Sequence, residues 1–360
     1  MRVAALVAGV ALVVLVLWEA FETLVLPRRV SRRLRFTRGY YRLLWGTWTR
    51  IGPRKAGAWR ELYLSVFAPL SMLMLLGLWV IGVVVGFALV LWGLNTPLAP
   101  VGAAPFGTHL YVSATSFVTL GLGDYAPTSG AGHAIVAIEA AAGFAFLALT
   151  ISYLPVLYQA FSRREVRISM LDQWAGSPPS AVELLRRAAS YDALASVSEL
   201  LGTWERWSAE LLESHLSYPV LAYFRSQHEH ESWLAALTSI LDLSSLVLAG
   251  VGGVSTWQAR RTFAISRHAV VDLAQVLHMP PRPMATDRLD DDAVSRARRI
   301  LEEAGIEVHP DLEARMRRLR AKYEPYVYVL AGRVEMELPD FLRPADAVDD
   351  WERTAWNEPE

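Results

Sequence analysis

Thr119-Leu120-Gly121-Leu122-Gly123-Asp124 is the stretch of this 360-residue chain best suited to chemistry, and that chemistry would be coordination of a cation. A desolvated cation needs oxygen ligands in place of its hydration shell, and stacked backbone carbonyls can supply them. Turning successive carbonyls to one side requires backbone dihedrals that alternate in hand. Glycine adopts the left-handed ones without steric cost, which accounts for Gly121 and Gly123. The carbonyls of Thr119, Leu120, Gly121 and Leu122 are the candidate ligands, and the Thr119 hydroxyl could add an innermost one. Gly-Leu-Gly-Asp also occurs in ordinary extracellular turns, so the flanking elements decide the reading.

Those elements are apolar and long. Hydrophobic residues make up 53% of the chain while 20% are charged, a combination that suits a membrane portion joined to a soluble one. Residues 3–26, 63–92 and 132–161 each reach the ~20 mainly apolar residues needed to cross a hydrocarbon core. Between Glu61 and Asp124 there is no Asp, Glu, Lys or Arg, and the third span carries only Glu139 before Arg163. The first span could instead be a secretory signal. It is long for that role, however, and no small-residue cleavage site follows it. The loop after it carries Arg28, Arg29, Arg32, Arg33, Arg35 and further basic residues to Arg60, with no acidic residue among them. By the positive-inside rule this loop stays in the cytoplasm, which puts the N-terminus outside and the 93–131 segment outside as well. The third span then returns to the cytoplasm, where Arg163, Arg164 and Arg167 mark its exit. The basic loop reads as topological charge with contacts to anionic lipid head groups, and no nucleic-acid partner is expected.

Residues 108–118 form a helix-compatible stretch too short to span a membrane, and they lead straight into Thr119. At this point the chain resembles the potassium-channel pore-loop family. The pattern T-x-G-x-G-D is met by Thr119, Gly121, Gly123 and Asp124, and Pro127 falls where family members often carry a proline. The resemblance covers residues 63–161 and implies an outer helix (63–92), a re-entrant pore helix (108–118), a filter (119–124) and an inner helix (132–161). It implies potassium ions at the filter carbonyls, and a homotetramer, because one filter loop per chain requires four chains around the axis. It places Asp124 at the outer mouth, anchoring the filter. Leu122 departs from the family, which usually has an aromatic there, and Val118 stands where a second threonine is common. The aromatic brace is then replaced by an apolar one, which leaves a nonselective cation channel as the alternative to a potassium-selective one.

Glu139 lies inside the third span, where an ionisable group is costly and usually functional or paired. It is expected to be protonated or hydrogen-bonded and to face the back of the pore helix near Tyr111, Thr115 or Ser116, supporting the filter. Gly143 falls where the family often has a hinge glycine, and hinge and packing roles stay open. Pro155 frees a backbone carbonyl nearer the cytoplasmic end and is a second gating candidate. Glu19 and Glu22 are expected to pair with arginines of the following loop, and the first span has no Arg or Lys ladder of a voltage sensor.

The fold class is therefore an all-α membrane protein, with three transmembrane helices, a re-entrant pore helix and filter loop, and an α-helical cytoplasmic domain. Its divisions are an N-terminal transmembrane helix (1–27), a basic cytoplasmic linker (28–62), a pore domain (63–162), a helical domain (163–337) and an acidic tail (338–360) expected to fray. Helical stretches are expected at 181–190, 194–221, 231–248, 259–277, 291–304 and 309–334. Residues 233–253 are apolar enough to raise a fourth span, but Asp242 would sit mid-membrane, so a core helix is the better reading. Gly250-Val251-Gly252-Gly253 lacks dinucleotide-binding spacing. His228-Glu229-His230-Glu231 reads as a solvated helix start and Asp290-Asp291-Asp292 as helix N-terminal charge. No catalytic constellation and no cofactor other than potassium is expected. The chain thus reads as a passive cation channel of a bacterial inner (plasma) membrane. A nonselective channel and a membrane-anchored scaffold with a silent pore are the alternatives. A cytoplasmic ligand or protein partner is left open.

Overall fold

Long apolar runs, interrupted by one amphipathic and one short helix, build the first half as α1 (Arg2–Leu24), α2 (Phe36–Ile51), α3 (Ala58–Gly93), α4 (Phe106–Phe117) and α5 (Gly130–Ala175). Of these, α1, α3 and α5 are long and apolar enough to cross a membrane. The computed structural model describes residues 1–26, 36–53, 55, 57–226, 231–283, 287–344, 347, 349 and 352. The chain divides into two compact units, one of Met1–Lys55 with Leu62–Tyr158, the other of Ala56–Glu61 with Gln159–Glu360.

In the first unit α1 lies antiparallel on α3 along a seam of glycines. A methyl group built on Gly86 would stand 2.6 Å from a Val13 methyl, and one on Gly82 2.9 Å from a Val16 methyl. One built on Gly93 would stand 2.7 Å from the Leu6 nitrogen. Small residues here let two backbones approach where apolar burial gives little driving force in lipid. Below that seam Val16, Ala20, Leu75, Leu76, Trp79, Val83 and Phe87 form a core that Phe117 of α4 and Phe146 of α5 complete. Two short strands, β1 (Leu98–Ala99) and β2 (Ala126–Pro127), pair antiparallel with Leu98 opposite Pro127.

The basic linker is not featureless. Its residues 36–51 form α2, whose inner face carries Thr37, Tyr40, Trp45 and Trp48. Glu19 of α1 accepts hydrogen bonds from the backbone N–H of Phe36 (3.1 Å) and the Thr37 hydroxyl (2.8 Å). It therefore satisfies orphan donors at the start of α2. Glu22 accepts from Trp18 Nε1 at 2.7 Å. The arginines expected to pair with them at 28–35 lie outside the described residues.

The second unit is helical throughout its described core. It contains α6 (Ala181–Ser190), α7 (Ser196–Ser217), a 3₁₀ turn (Pro219–Tyr223), α8 (Trp233–Ala249), α9 (Thr256–Val276), α10 (Asp291–Glu303), α11 (Leu312–Arg320) and α12 (Glu324–Val334). The apolar helix α8 is its central element, buried along nearly its whole length. At 17 residues it falls short of a membrane span. Asp242 on α8 is held by Arg288 through both guanidinium nitrogens (3.1 and 3.2 Å) and by the Tyr323 hydroxyl at 2.5 Å. Arg288 also donates to Glu324 at 2.6 Å, and Arg320 to the same carboxylate at 2.9 Å.

Two expectations need correction here. The single helix expected over 309–334 is broken at Ala321–Tyr323, because Pro325 has no N–H and fits only the first turn of a new helix. The tail does not fray throughout. Phe341 and Asp349 are buried, Ser180 donates to the Phe341 carbonyl at 2.9 Å, and Arg343 pairs with Asp349 at 2.6 Å. Asp290 caps α10 by accepting from the Ala293 N–H at 2.7 Å, as N-terminal charge should. The Gly250–Gly253 stretch is the turn that ends α8, with Gly250 at φ +120° and Gly253 at φ +81°. His228, Glu229 and His230 lie outside the described residues.

Candidate functional site

Helix α4 is twelve residues long and buries one face, His109, Val112, Ser113 and Phe117. That i, i+3, i+4, i+8 spacing is one stripe of a helix. The stripe packs against α3 and α5 through Phe117 in the shared core. Val112 belongs to a second small core with Leu91 and Leu98.

The end of α4 fixes the start of the candidate filter. The Thr119 N–H donates to the Ser116 carbonyl at 3.0 Å and the Leu120 N–H to the Thr115 carbonyl at 2.8 Å. This paired closure needs a left-handed residue at its turn, usually glycine. Thr119 fills that place at φ +55°. A β-branched residue in this region is a true outlier, and such strain costs on the order of 1–3 kcal/mol. Gly121 at φ +57° and Gly123 at φ +78° follow, while Leu120 and Leu122 between them are not left-handed. The sign of φ thus alternates over five residues, the alternation that a stack of carbonyls facing one side requires.

This segment has little support from its own chain. Among the described residues none donates a hydrogen bond to the carbonyls of Thr119, Leu120, Gly121 or Leu122. Val118, Leu120 and Leu122 are 60, 58 and 62% exposed. The apolar brace expected of Leu122 is therefore not made within one chain. Beyond the segment, β2 is held by β1, and the Thr128 N–H donates to the Pro97 carbonyl at 3.0 Å. His133 Nε2 lies 2.7 Å from the Pro127 carbonyl. His109 anchors the other side of this loop, with Nε2 at 3.0 Å from the Thr96 carbonyl and Nδ1 at 3.1 Å from that of Pro105. Asp124 is exposed, the Tyr111 hydroxyl lies close enough to interact with its carboxylate, and the Tyr111 ring meets Tyr125 edge-on at 6.1 Å.

Glu139 is fully buried on α5 and meets α4, but at a different residue from those expected. Ser113 donates to it and also lies 2.7 Å from the Val84 carbonyl of α3. Ser113 thus joins α3, α4 and α5 at one hydroxyl. Thr115 and Ser116 instead donate back to carbonyls of their own helix, Thr115 to Tyr111 at 3.0 Å and Ser116 to Val112 at 2.7 Å. The signal for Ser113 was present in the sequence, since it shares the stripe of His109, Val112 and Phe117. Thr115 lies well to the side of that stripe.

Gly143 is a close-approach site. A side-chain carbon built there would fall on the carbonyl oxygen of Phe117, the last residue of α4, and only glycine lets α5 touch that helix end. Helix α5 runs on without a break through Gly143 and through Pro155. Pro155 has no N–H for the Ile151 carbonyl.

No protein-family model, curated protein sequence or solved structure matches this chain.

Proposed function

We propose that this protein is one subunit of a homotetrameric cation channel that conducts potassium passively through the backbone carbonyls of Thr119, Leu120, Gly121 and Leu122. The observation that carries the reading is the alternating backbone hand at Thr119, Gly121 and Gly123, at the end of a short helix set between two membrane-length helices. A segment of irregular backbone at membrane depth is tolerated only where protein surrounds it or it lines a wet path. One copy leaves the segment exposed, and four copies around an axis would cover its apolar side chains while turning its carbonyls inward. In this reading α4 is a re-entrant pore helix whose negative C-terminal end points at the ion path. Asp124 stands at the outer mouth, steadied by Tyr111, and Glu139, Ser113 and Gly143 hold α4 in place from behind. The membrane is a bacterial plasma membrane, with the N-terminus outside and the second unit in the cytoplasm, as the basic loop directs.

A second reading, a nonselective cation channel, draws on one observation. Leu122 offers no polar atom with which to fix the filter width, and it is exposed in the single chain.

The test is potassium flux from liposomes holding the purified chain, compared with Gly121→Ala. A methyl at φ +57° forces a left-handed alanine, so flux should fall about five- to thirtyfold for a strain of about 1–2 kcal/mol. Equal flux in both proteins, or none in the parent, would favour a scaffold with a silent pore.

A further inference from the structure

Helix α2 presents an unusual outer face. Phe36, Leu43 and Arg50 recur every seven residues along it, and Leu43 and the terminal Ile51 are 75 and 76% exposed. The helix carries Arg38, Arg42 and Arg50 and no acidic residue. Arg42 and Arg50 are exposed and have no ion-pair or hydrogen-bond partner among the described residues. Single leucines and arginines both occur on water-facing surfaces, so the position of the helix decides what this face meets. Leucine and arginine together match the boundary of a lipid leaflet, with acyl chains for one and phosphate for the other.

The position of α2 supports this. Tyr40 donates to the Ser71 carbonyl at 2.6 Å, Trp45 meets Phe67 at 4.6 Å between ring centroids, and Trp48 stacks on Tyr63 at 4.6 Å. As α2 advances its partners on α3 recede, so α2 runs antiparallel beside the first turns of α3. Helix α3 has 36 residues and is about 54 Å long, against ~30 Å for a hydrocarbon core. The fully apolar run from Met72 onward fills the core, which leaves residues 63–71, and α2 beside them, at head-group depth. Aromatic side chains, here Tyr40, Tyr41, Trp45, Trp48 and Tyr63, gather at such depths.

The geometry points to α2 as a docking surface for anionic phospholipid, with Leu43 in the acyl region and Arg42 and Arg50 on head-group phosphates. The inference needs only that α1 and α3 are embedded in a membrane, and it does not depend on conduction through the 119–124 segment. The chain contains no cysteine, so Leu43→Cys creates a single thiol for a fluorescent label at a position already exposed. The labelled full chain is placed in lipid nanodiscs doped with nitroxide-labelled phosphatidylglycerol or with equally labelled phosphatidylcholine.

Quenching by the anionic lipid is expected at several-fold lower mole fraction, since one basic residue at an anionic surface is worth about fivefold in partitioning. Adding Arg42→Gln and Arg50→Gln should remove that preference and leave quenching by the neutral lipid in place. Equal quenching by both lipids in the parent would overturn the inference. So would a label reached by neither lipid, whether it is quenched by aqueous iodide or shielded from it by a second copy of the chain.

Discussion

The interior of the second unit and the 118–124 segment of the first treat polar groups in opposite ways. Around α8, Asp242, Arg288, Tyr323, Glu324 and Arg320 are all buried or nearly so, and each finds a partner inside the same unit. In the 118–124 segment the carbonyls meet no donor among the described residues and the leucines between them meet no core. Burying charge is tolerable only when it is paired. An exposed carbonyl can instead be met by water, by an ion or by another chain. The contrast therefore separates a region whose polar groups are paired within their own unit from one that its own chain leaves exposed, and assembly and ions complete the latter only in the reading proposed above.

The largest expected effect lies on the finished side. Asp242→Ala removes one acceptor from each of two Arg288 nitrogens and the acceptor of Tyr323, so the buried guanidinium keeps only Glu324 and the Pro339 carbonyl. It should cost about 3–5 kcal/mol, read as a lower thermal midpoint of the full chain. An unchanged midpoint would mean that the second unit does not depend on this pairing, and the comparison would lose one of its sides.

Next comes Gly143→Ala, which acts on the support of the unfinished region. The added methyl meets the Phe117 carbonyl, so α4 must move, and overpacking of this kind costs about 1–3 kcal/mol. Flux should fall well below that of the parent while the second unit melts normally. A hinge role alone would instead alter gating and leave the filter intact.

The Ser113–Glu139 contact gives a graded series. Glu139→Gln keeps a hydrogen-bonding group beside Ser113 and should retain most flux. Glu139→Leu removes the Ser113 partner on α5 while the hydroxyl keeps the Val84 carbonyl, a loss of about 0.5–1.5 kcal/mol, and should reduce it. Ser113→Ala should resemble Glu139→Leu if the hydroxyl is the link. If all three variants conduct like the parent, α4 is held by its apolar stripe alone.

The smallest effect is a pH dependence of the second unit. His215 is buried, its Nδ1 lies 2.9 Å from the Leu211 carbonyl, and Arg164 approaches Nε2 at 3.3 Å. Burial, and then the charge of Arg164, push its pKa well below the usual 6.5. The unfolded chain therefore takes up a proton near pH 6.5 that the folded chain refuses. Stability is complete above that pH and is lost as pH falls toward the depressed folded value, by at most about 1.4 kcal/mol per pH unit. Melting curves between pH 7.5 and 5.5 should show this loss, and His215→Gln should remove that share of it.

Much of the frame was legible because hydropathy is a direct reporter of length and burial. The apolar run at 3–26 outlasts α1 by two residues, while those at 63–92 and 132–161 lie inside helices that extend further, to Ala58 in one case and Ala175 in the other. Hydropathy marks where lipid would be and not where hydrogen bonding stops, so the polar turns around Arg60 and Arg164 were left out. Helix α2 was hidden behind its charge. The arginines of 28–60 drew a linker reading, although Tyr40, Tyr41, Leu44, Trp45 and Trp48 already had helical spacing. In the candidate site the glycines were readable because φ constrains residue type, whereas the left-handed backbone of Thr119 was not, because a β-branched residue rarely adopts it. Ser113 was missed as a partner because Ser116 falls on the same stripe, and which of the two hydroxyls meets Glu139 follows from contacts with α3 and α5.

The most direct test is a bilayer recording of the purified chain with potassium on one side and sodium on the other. The account predicts currents whose reversal potential is shifted far from zero in the direction set by potassium and that fall severalfold or more in Gly121→Ala. Reversal near zero would contradict potassium selection and favour the Leu122-based nonselective reading, and currents that persist unchanged in Gly121→Ala would contradict conduction through this filter.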